Sequence, residues 1–327
     1  MAEEFKIPNL NEIREARKLL GDKILLTPVW EWKGQEKDVL FGKNTQLFLK
    51  LETLQYGGCF KLRGALLNMM ALKDSELKNG VTAISAGNHA IAVASAAKQL
   101  GIHAKVVIPK TANKFRVQRC QAYGAEIIYC DTINEGFNLV QEIAKQESRA
   151  FIHPFEGYHT ALGTATLGLE FAEQTKGLDA VVIAIGGGGL CAGVSNAFSQ
   201  AQPSCTIYGV EPEGADTMNR SFMANKPMAI NKIQTIADSL GAPKAEPYSF
   251  HLCKLNVDKL VTVSDQELIT AMKLIAEELK MMVEPACAAG IAACLGPLKN
   301  ELHGKRIGII FCGSNMDIST FCGHCNE

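Results

Sequence analysis

The sequence has almost no net charge and lacks a long uninterrupted apolar run. Its 327 residues carry 33 Lys+Arg against 34 Asp+Glu, which gives a formal net charge of −1 at pH 7. A protein that binds nucleic acid or an anionic membrane usually presents a dense basic face, so neither is expected as a partner. The most apolar stretch, residues 180–194, is interrupted by glycines and is shorter than the ~20 residues that cross a bilayer. Small molecules are therefore the expected ligands.

The sequence also shows neither a secretory signal nor a disulfide framework. The first residues, Met-Ala-Glu-Glu-Phe-Lys, are charged and lack the apolar stretch of a signal peptide. The 11 cysteines are odd in number and irregularly spaced, which is typical of reduced thiols in a cytosolic protein. One close pair, Cys322 and Cys325, resembles a redox motif but lacks the following helix that lowers a thiol pKa. We therefore expect a cytoplasmic protein.

Predicted strands and helices alternate along the chain, which is typical of an α/β protein with parallel strands. Strands are predicted at residues 47–51, 81–85, 105–108, 126–130, 180–185, 206–211 and 306–311. Helices are predicted at residues 9–21, 63–72, 89–100, 114–123, 133–146, 190–200 and 264–279, and another begins at Pro285. Asn9 with Glu12 and Ser264 with Glu267 have the spacing of capping boxes, which predict where two of these helices begin. The expected fold is two doubly wound, mostly parallel-sheet lobes that share a cleft, with ligands at the C-terminal ends of strands. Residues 219–259 show no clear period.

Four consecutive glycines stand between a predicted strand and a predicted helix. They are Gly186, Gly187, Gly188 and Gly189. Glycines let backbone N–H groups crowd around an anion, and the N-terminus of a helix adds positive potential. The position therefore predicts a phosphate site. The spacing differs from Gly-x-Gly-x-x-Gly, which counts against a dinucleotide site. A dinucleotide site and a tight turn without a ligand are the two alternatives.

A second strand-to-helix junction carries small and polar residues suited to a carboxylate. It consists of Ser85, Ala86, Gly87, Asn88 and His89. Open N–H groups, a hydroxyl and an amide at a helix N-terminus favour binding of an anion. A helix cap provided by Ser85 or Asn88, with no ligand, is the alternative.

Lys61 and Cys312 complete the set of candidate groups. Lys61 follows Phe60 just before a predicted helix, with glycines close by. A lysine removed from water has a lowered pKa and serves as an amine nucleophile and a base, whereas a solvated charge is the ordinary alternative. Cys312 follows the last predicted strand, where it either packs in the core or faces the cleft. A reactive lysine, a phosphate loop, a carboxylate loop and a polar strand end are together what pyridoxal phosphate requires.

The same stretches make the sequence similar to the pyridoxal-phosphate-dependent serine/threonine dehydratases of the tryptophan-synthase-β fold type. The matching stretches are residues 27–28, 50–64, 82–101, 179–193, 283–289 and 311–317. The resemblance implies that Lys61 is the Schiff-base lysine, next to Phe60, and that the four glycines hold the phosphate. It implies that Asn88 bonds the 3′-oxygen of the cofactor and that Cys312 faces the pyridine nitrogen. It further implies that residues 85–89 surround the substrate carboxylate.

The resemblance also implies a domain organisation and a reaction. We expect a discontinuous large domain, residues 1–52 and 154–327, for the cofactor phosphate and a small domain, residues 53–153, for the substrate carboxylate. The expected reaction is α,β-elimination of L-threonine or L-serine to 2-oxobutanoate or pyruvate and ammonia. The alternatives are a serine racemase, a dehydratase of a related substrate such as 3-hydroxyaspartate, and a cofactor-binding regulatory protein. A homodimer is expected because related enzymes are usually dimers.

Three positions depart from the family pattern. Cys59 stands where most members carry Ser, and Ala86 stands where serine racemases carry a second proton-transfer serine, which disfavours racemisation. Glu211 and the carbonyl of Ala215 match a cation site of related enzymes, but Thr217 replaces the second carboxylate of the racemases. A monovalent cation is therefore expected there rather than Mg²⁺ or Ca²⁺, which favour more anionic oxygens.

Overall fold

The computed structural model describes residues 5–326 of the chain, with the side chains of 133 and 134 left out. The strands are β1 (Val29–Trp32), β2 (Gln46–Leu51), β3 (Val81–Ile84), β4 (Ala104–Pro109), β5 (Glu126–Cys130), β6 (Ala150–Phe151), β7 (Ala180–Ala184), β8 (Thr206–Pro212), β9 (Lys259–Val263) and β10 (Arg306–Phe311). The helices are α1 (Leu10–Leu20), α2 (Gln35–Phe41), α3 (Lys61–Met70), α4 (Asp74–Leu77), α5 (Asn88–Leu100), α6 (Lys114–Ala122), α7 (Ile133–Gln146), α8 (Tyr158–Gln174), α9 (Gly189–Ala201), α10 (Thr217–Ala224), α11 (Pro247–Asn256), α12 (Asp265–Leu279), α13 (Pro285–Leu295), α14 (Lys299–Leu302) and α15 (Ile318–Asn326).

The strands form two separate sheets. The larger sheet has the order β1-β2-β10-β7-β8-β9, and the smaller sheet has the order β5-β4-β3-β6. All neighbouring strands are parallel except β1, which runs antiparallel to β2. Strand β7 is buried along its whole length, as expected of a parallel strand covered by helices on both faces. The predicted fold class, α/β with two mostly parallel sheets, is confirmed.

Helix α8 lies between the helix that begins with Lys61 and the helix that follows the four glycines. It packs against α3 so closely that a Cβ atom on Gly163 would lie 2.5 Å from the Cα atom of Gly64. On its other side it packs against α9, where a Cβ atom on Gly193 would lie 2.0 Å from the Thr164 Oγ1 atom. These contacts between small residues hold α3 and α9 at fixed positions against α8.

A fully buried cluster of charged side chains fastens α3 to β2 and α8. The Arg63 guanidinium donates to Glu52, with Nε–Oε2 at 2.9 Å, and to Glu170, with Nη1–Oε2 at 3.1 Å. The Lys50 Nζ atom lies 2.5 Å from the Glu170 Oε1 atom and 2.7 Å from Gln174 Oε1. Two cations and two carboxylates therefore compensate one another in the interior, as a buried ionic cluster requires. We call Lys50, Glu52, Arg63 and Glu170 the anchor cluster.

Most predicted elements are present, with ends shifted by one or two residues. The capping boxes at Asn9 and Ser264 form as predicted and begin α1 and α12. Several elements were not predicted from the sequence, among them β1, β9, α2, α8, α10 and α11. The cysteines are free thiols, and Cys322 and Cys325 lie within α15 rather than before a helix. Among the described residues, no helix combines the length and apolar character that a bilayer span needs.

The predicted domain boundaries stay a prediction. The larger sheet uses strands from both ends of the chain, and the smaller sheet uses strands between Val81 and Phe151. One apolar cluster joins side chains of α1 and α8 to side chains of the smaller sheet, among them Ile13, Leu162, Val81 and Val106. Close packing of this kind couples the two predicted domains.

Candidate active site

A cavity of about 450 Å³ lies between the two sheets, at the C-terminal ends of their strands. Its size is in the range of small-molecule sites, and its position is where open parallel sheets bind ligands. It brings together nearly all of the residues singled out in the sequence. Those residues are Phe60, Lys61, Ser85, Ala86, Gly87, Asn88, His89, Gly186, Gly187, Gly188, Gly189 and Cys312. Glu211 and Ala215 lie outside the cavity lining.

Lys61 is the first residue of α3 and points its amine into the cavity. Its Nζ atom donates to the carbonyl oxygen of Pro154 at 3.0 Å and lies 5.2 Å from the centre of the Phe60 ring. Burial lowers the pKa of the Lys61 amine, and the nearby Glu284 carboxyl and the Cys59 and Cys312 thiols offset this only in part. A larger neutral fraction makes the amine a better nucleophile and base near pH 7.

The four glycines form a tight loop that side chains would block. Gly188 has φ +93°, in the left-handed region that glycine adopts without strain. A Cβ atom on Gly187 would lie 2.3 Å from the Phe155 ring, and one on Gly189 would lie 2.6 Å from the Phe155 carbonyl oxygen. The loop leads directly into α9, whose first N–H groups have no partner within the helix. The loop therefore offers free backbone N–H groups and the positive end of a helix dipole, and both favour binding of an anion.

The segment 85–89 offers backbone N–H groups rather than a cation. Ser85 Oγ accepts from the Gly87 N–H at 3.0 Å, and α5 begins at Asn88. The His89 ring bonds the carbonyl oxygen of Ile152 through Nε2 at 2.8 Å. Burial and the positive charge of Lys61 lower the pKa of His89 to about 3, so its ring is neutral. A carboxylate at this segment would be held by the N-terminus of α5.

Three polar side chains interlock on one wall of the cavity. Asn315 donates from Nδ2 to the Asn88 Oδ1 atom at 2.7 Å, and Asn88 donates to Glu284 Oε1 at 2.6 Å. The other carboxylate oxygen of Glu284, Oε2, is buried and has no hydrogen-bond partner among the described residues. Burial raises the pKa of Glu284 to about 7, against the lowering effect of Arg116. The Glu284 carboxyl thus has unused capacity for a hydrogen bond at the cavity wall.

Arg116 joins the two sides of the cleft. Its guanidinium donates to the Asp238 carboxylate, and its Nε atom donates to the Asn315 carbonyl oxygen at 2.8 Å. Its Nη2 atom lies 3.7 Å from Glu284 Oε2. Asn88, Arg116, Asp238 and Glu284 are called the cavity cluster below. No role was predicted from the sequence for Arg116, Asp238 or Glu284. Residue 284 lies in one of the stretches that match the family, whereas residue 238 lies in the segment 219–259, which shows no clear period.

The cysteines at the site are neutral thiols. Burial is the main cause that raises the pKa of Cys59 to about 12, and its Sγ atom lies 3.9 Å from the carbonyl oxygen of Asn88. A hydrogen bond with the Cys287 thiol, together with burial, raises the pKa of the Cys312 thiol. The Cys312 carbonyl oxygen accepts from the Phe60 N–H at 3.1 Å, which ties the last strand to the start of α3.

Glu211 has a structural partner that the sequence analysis did not foresee. Its two carboxylate oxygens accept from the N–H groups of Met218 and Asn219, both at 2.7 Å, at the start of α10. Thr217 donates to the carbonyl oxygen of Ala242 at 2.7 Å. No group of three or more metal-ligating side chains occurs within residues 5–326. The monovalent-cation site at Glu211 and Ala215 stays a prediction.

Comparison with known proteins assigns the family. Residues 22–313 match the profile of the family described as "Pyridoxal-phosphate dependent enzyme". The chain belongs to this family. It is therefore a pyridoxal-phosphate-dependent enzyme, and the family and cofactor expected from the sequence are confirmed.

The relatives of this pyridoxal-phosphate-dependent enzyme include lyases and racemases. It is 50% identical over 318 residues to a phenylserine dehydratase of Ralstonia pickettii, covering 97% of this chain and 96% of the relative. It is 35% identical over 316 residues to an L-threo-3-hydroxyaspartate ammonia-lyase of Saccharomyces cerevisiae, covering 96% and 95%. The solved structure of maize serine racemase superimposes with a TM-score of 0.90 at 35% identity, covering 97% and 98%.

The cavity fits the cofactor of the family. The glycine loop at the N-terminus of α9 has space that any side chain would fill, as a phosphate site requires. A lysine with a lowered pKa faces the same cavity, as an aldehyde cofactor requires. The unpartnered Oε2 atom of Glu284 shows that the polar wall between them is not saturated by the protein alone.

Proposed function

We propose that this enzyme is an ammonia-lyase that acts on β-hydroxy-α-amino acids. The reaction eliminates water from the amino acid, and the enamine that results takes up water again on hydrolysis, so the net products are a 2-oxo acid and ammonia. L-Serine and L-threonine belong to this substrate class, and so does 3-phenylserine, on which the name of the 50% identical relative is based. The observation that carries the proposal is the half-buried amine of Lys61, which shares one cavity with the glycine loop and the segment 85–89.

The cofactor would be held by residues of both sheets. We assign its aldehyde to Lys61, its phosphate to the four glycines 186–189, its ring oxygen to Asn88 and its ring nitrogen to Cys312, with Phe60 alongside. When bound, pyridoxal phosphate supplies an aldehyde that condenses with amines and a ring that accepts negative charge from the α-carbon of the substrate. The raised pKa of Cys312 means that this residue offers a neutral thiol rather than a negative charge.

The substrate carboxylate is assigned to residues 85–89. The N-terminus of α5 favours an anion through its free N–H groups and its dipole. Neither nearby basic side chain competes for that role, because His89 is neutral and Arg116 is paired with Asp238. The carboxylate would therefore be fixed by backbone groups that lie on a rigid, buried helix.

Lys61 would move the proton that starts the reaction. Its amine has a lowered pKa, which increases the fraction of the neutral form that accepts the α-proton at Nζ. Loss of the α-proton and of the β-hydroxyl as water gives an enamine, which hydrolyses in solution to a 2-oxo acid and ammonia. Burial of the cavity walls limits the access of water while the proton is on the lysine.

Racemisation is the second candidate, and one observation bears on it. Inversion at the α-carbon needs a proton donor on the face opposite the lysine. Ala86 has no hydroxyl to serve there. The likeness to maize serine racemase nevertheless makes this activity worth measuring beside elimination.

The test is 2-oxo acid release by the purified, cofactor-loaded enzyme from L-serine, L-threonine and 3-phenylserine. Lys61→Ala should lower kcat by a factor of about 10² to 10⁴, the contribution usual for a general base, while its far-ultraviolet circular dichroism spectrum should match that of the unchanged enzyme. D-Serine formed from L-serine should be measured in the same samples. The absence of 2-oxo acid from every substrate, with the cofactor bound, would overturn the proposal.

A further inference from the structure

One part of the cavity is assigned neither to the cofactor nor to the substrate carboxylate. It lies along the C-terminal edge of the smaller sheet, where β3, β4 and β5 end side by side. Its lining comes from the residues at these strand ends and from the start of α7. They are Ile84, Pro109, Thr111, Asp131, Thr132 and Phe137. We call this set the edge pocket.

Phe137 has a fixed position in the edge pocket because α7 lies directly on the sheet. A Cβ atom on the preceding Gly136 would lie 2.3 Å from Ile84 Cδ1 and 2.8 Å from Cys130 Sγ. Thr132 Oγ1 accepts from the Glu135 N–H at 3.2 Å and so caps the helix. The half-buried Phe137 ring packs against the apolar cluster around Ile84 and still faces the cavity.

The charged groups around the edge pocket are already paired. Asp131 accepts from Lys110 at 2.6 Å, and Arg116 is bound to Asp238. The Nδ1 atom of His153 accepts a hydrogen bond from the Glu156 N–H. Burial lowers the pKa of the His153 ring to about 4, so the ring is neutral. Among the described lining residues, Lys61 is thus the one cation without a carboxylate partner, and it is assigned to the chemistry. A second carboxylate on the substrate would find no partner, whereas a neutral apolar group would find Ile84, Pro109 and Phe137.

We propose that the edge pocket binds the β-substituent of the substrate, that it prefers a flat apolar ring, and that Phe137 determines this preference. The inference rests on the proposed function, since it concerns the side chain of the same substrate class. Two aromatic rings pack well edge to face or offset. Burial of a ring of this size favours binding by about 10- to 100-fold over a methyl group.

The first experiment compares kcat/KM for 3-phenylserine and L-serine. Phe137→Ala should lower the value for 3-phenylserine by about 10- to 100-fold and that for L-serine by less than about threefold. The kcat/KM of Phe137→Leu for 3-phenylserine should lie between the values of Phe137→Ala and the unchanged enzyme. Leu139→Ala is the matched control, because Leu139 is a half-buried residue of the same helix and cluster that does not line the cavity. Equal losses on both substrates would overturn the inference.

The second experiment measures binding without turnover. L-Phenylalanine and L-alanine lack a β-hydroxyl, so their dissociation constants for the cofactor-loaded enzyme can be measured by calorimetry. The enzyme should bind L-phenylalanine at least about tenfold more tightly than L-alanine, and Phe137→Ala should abolish the difference. Equal affinities in the unchanged enzyme would overturn the edge pocket as an aryl site. A preference that Phe137→Ala abolishes, with no 2-oxo acid from any substrate, would keep the pocket and overturn the elimination reaction.

Discussion

The anchor cluster and the cavity cluster both place an arginine and carboxylates in the interior, but they differ in how completely they are paired. In the anchor cluster, Arg63, Glu52 and Glu170 are each almost fully buried, and every polar atom has a partner. In the cavity cluster, the Asp238 side chain is 53% exposed, and the Oε2 atom of Glu284 has no hydrogen-bond partner among the described residues.

The difference in pairing separates a structural role from a binding role. A saturated ionic cluster resists change because removal of any member leaves a buried charge behind. The anchor cluster therefore fixes α3 and, with it, the position of Lys61. An unsaturated polar wall can accept a ligand without first breaking protein contacts. The cavity cluster is thus suited to form a hydrogen bond with a ligand in the cleft.

The largest expected effect comes from breaking the anchor cluster. Arg63→Met leaves Glu52 and Glu170 buried with only Lys50 to compensate them, which should cost about 3–5 kcal/mol. We expect the midpoint of thermal unfolding to fall by about 4–7 °C, measured by circular dichroism on the cofactor-loaded enzyme. Burial opposes ionisation of Glu170, but Arg63 and Lys50 lower its pKa, so the contribution of this carboxylate is present above pH ~4.5 and lost as the solution is acidified.

The control for this variant is an arginine in an exposed pair. Arg17 donates to Glu173 at 2.6 Å, and both side chains are more than one-third exposed. Arg17→Met should therefore change stability by about 1 kcal/mol or less. Similar losses for Arg63→Met and Arg17→Met would show that burial does not separate the two pairs.

The second effect concerns the pH dependence of the cavity cluster. The pKa of Glu284 is about 7 in the folded protein, against 4.5 when exposed, so the folded state binds its proton more tightly. Stability from this group is therefore fully present below pH ~4.5 and declines as the pH rises to about 7. Glu284→Gln removes the titration, so the variant should gain on the order of 2 kcal/mol relative to the parent between pH 5 and 8.

Thermal unfolding of both proteins across that pH range checks the prediction. The difference between their midpoints should change in favour of Glu284→Gln as the pH rises and should level off above pH ~7. A constant difference from pH 5 to 8 would mean that Glu284 is already ionised throughout and that its Oε2 atom is solvated.

The sequence was informative where one short segment contains the whole signal. The four glycines between a buried strand and a helix predict a phosphate loop, because both the turn and the helix N-terminus are local features. The capping boxes at Asn9 and Ser264 predicted helix starts for the same reason. Alternation of strands and helices was sufficient for the fold class, since parallel strands require crossover helices.

The missed features depend on contacts between distant parts of the chain. Helix α8 is buried on nearly all sides between Thr160 and Ala172, so it lacks the 3.6-residue period by which surface helices are recognised. The cavity cluster joins residues 88, 116, 238 and 284, which only the folded chain brings together. Phe137 was missed because an aromatic residue on an amphipathic helix is ordinarily part of the core.

The smallest expected effect tests whether the cavity cluster can redistribute its charges. In Asp238→Asn, the half-exposed partner of Arg116 loses its charge, and the remaining carboxyl near the guanidinium is Glu284, 3.7 Å away. Stability should change by about 1 kcal/mol or less, as for the exposed control Glu173→Gln.

The pKa of Glu284 should fall in Asp238→Asn, because Asp238 raises this pKa and Arg116 lowers it. When Glu284→Gln is added to Asp238→Asn, the pH range over which the added substitution gains stability should therefore lie at lower pH than in the parent protein. When it is added to Glu173→Gln, that pH range should be the same as in the parent protein. An unmoved range in both backgrounds would show that Arg116 and Glu284 are not coupled, and the two clusters would then differ in exposure alone.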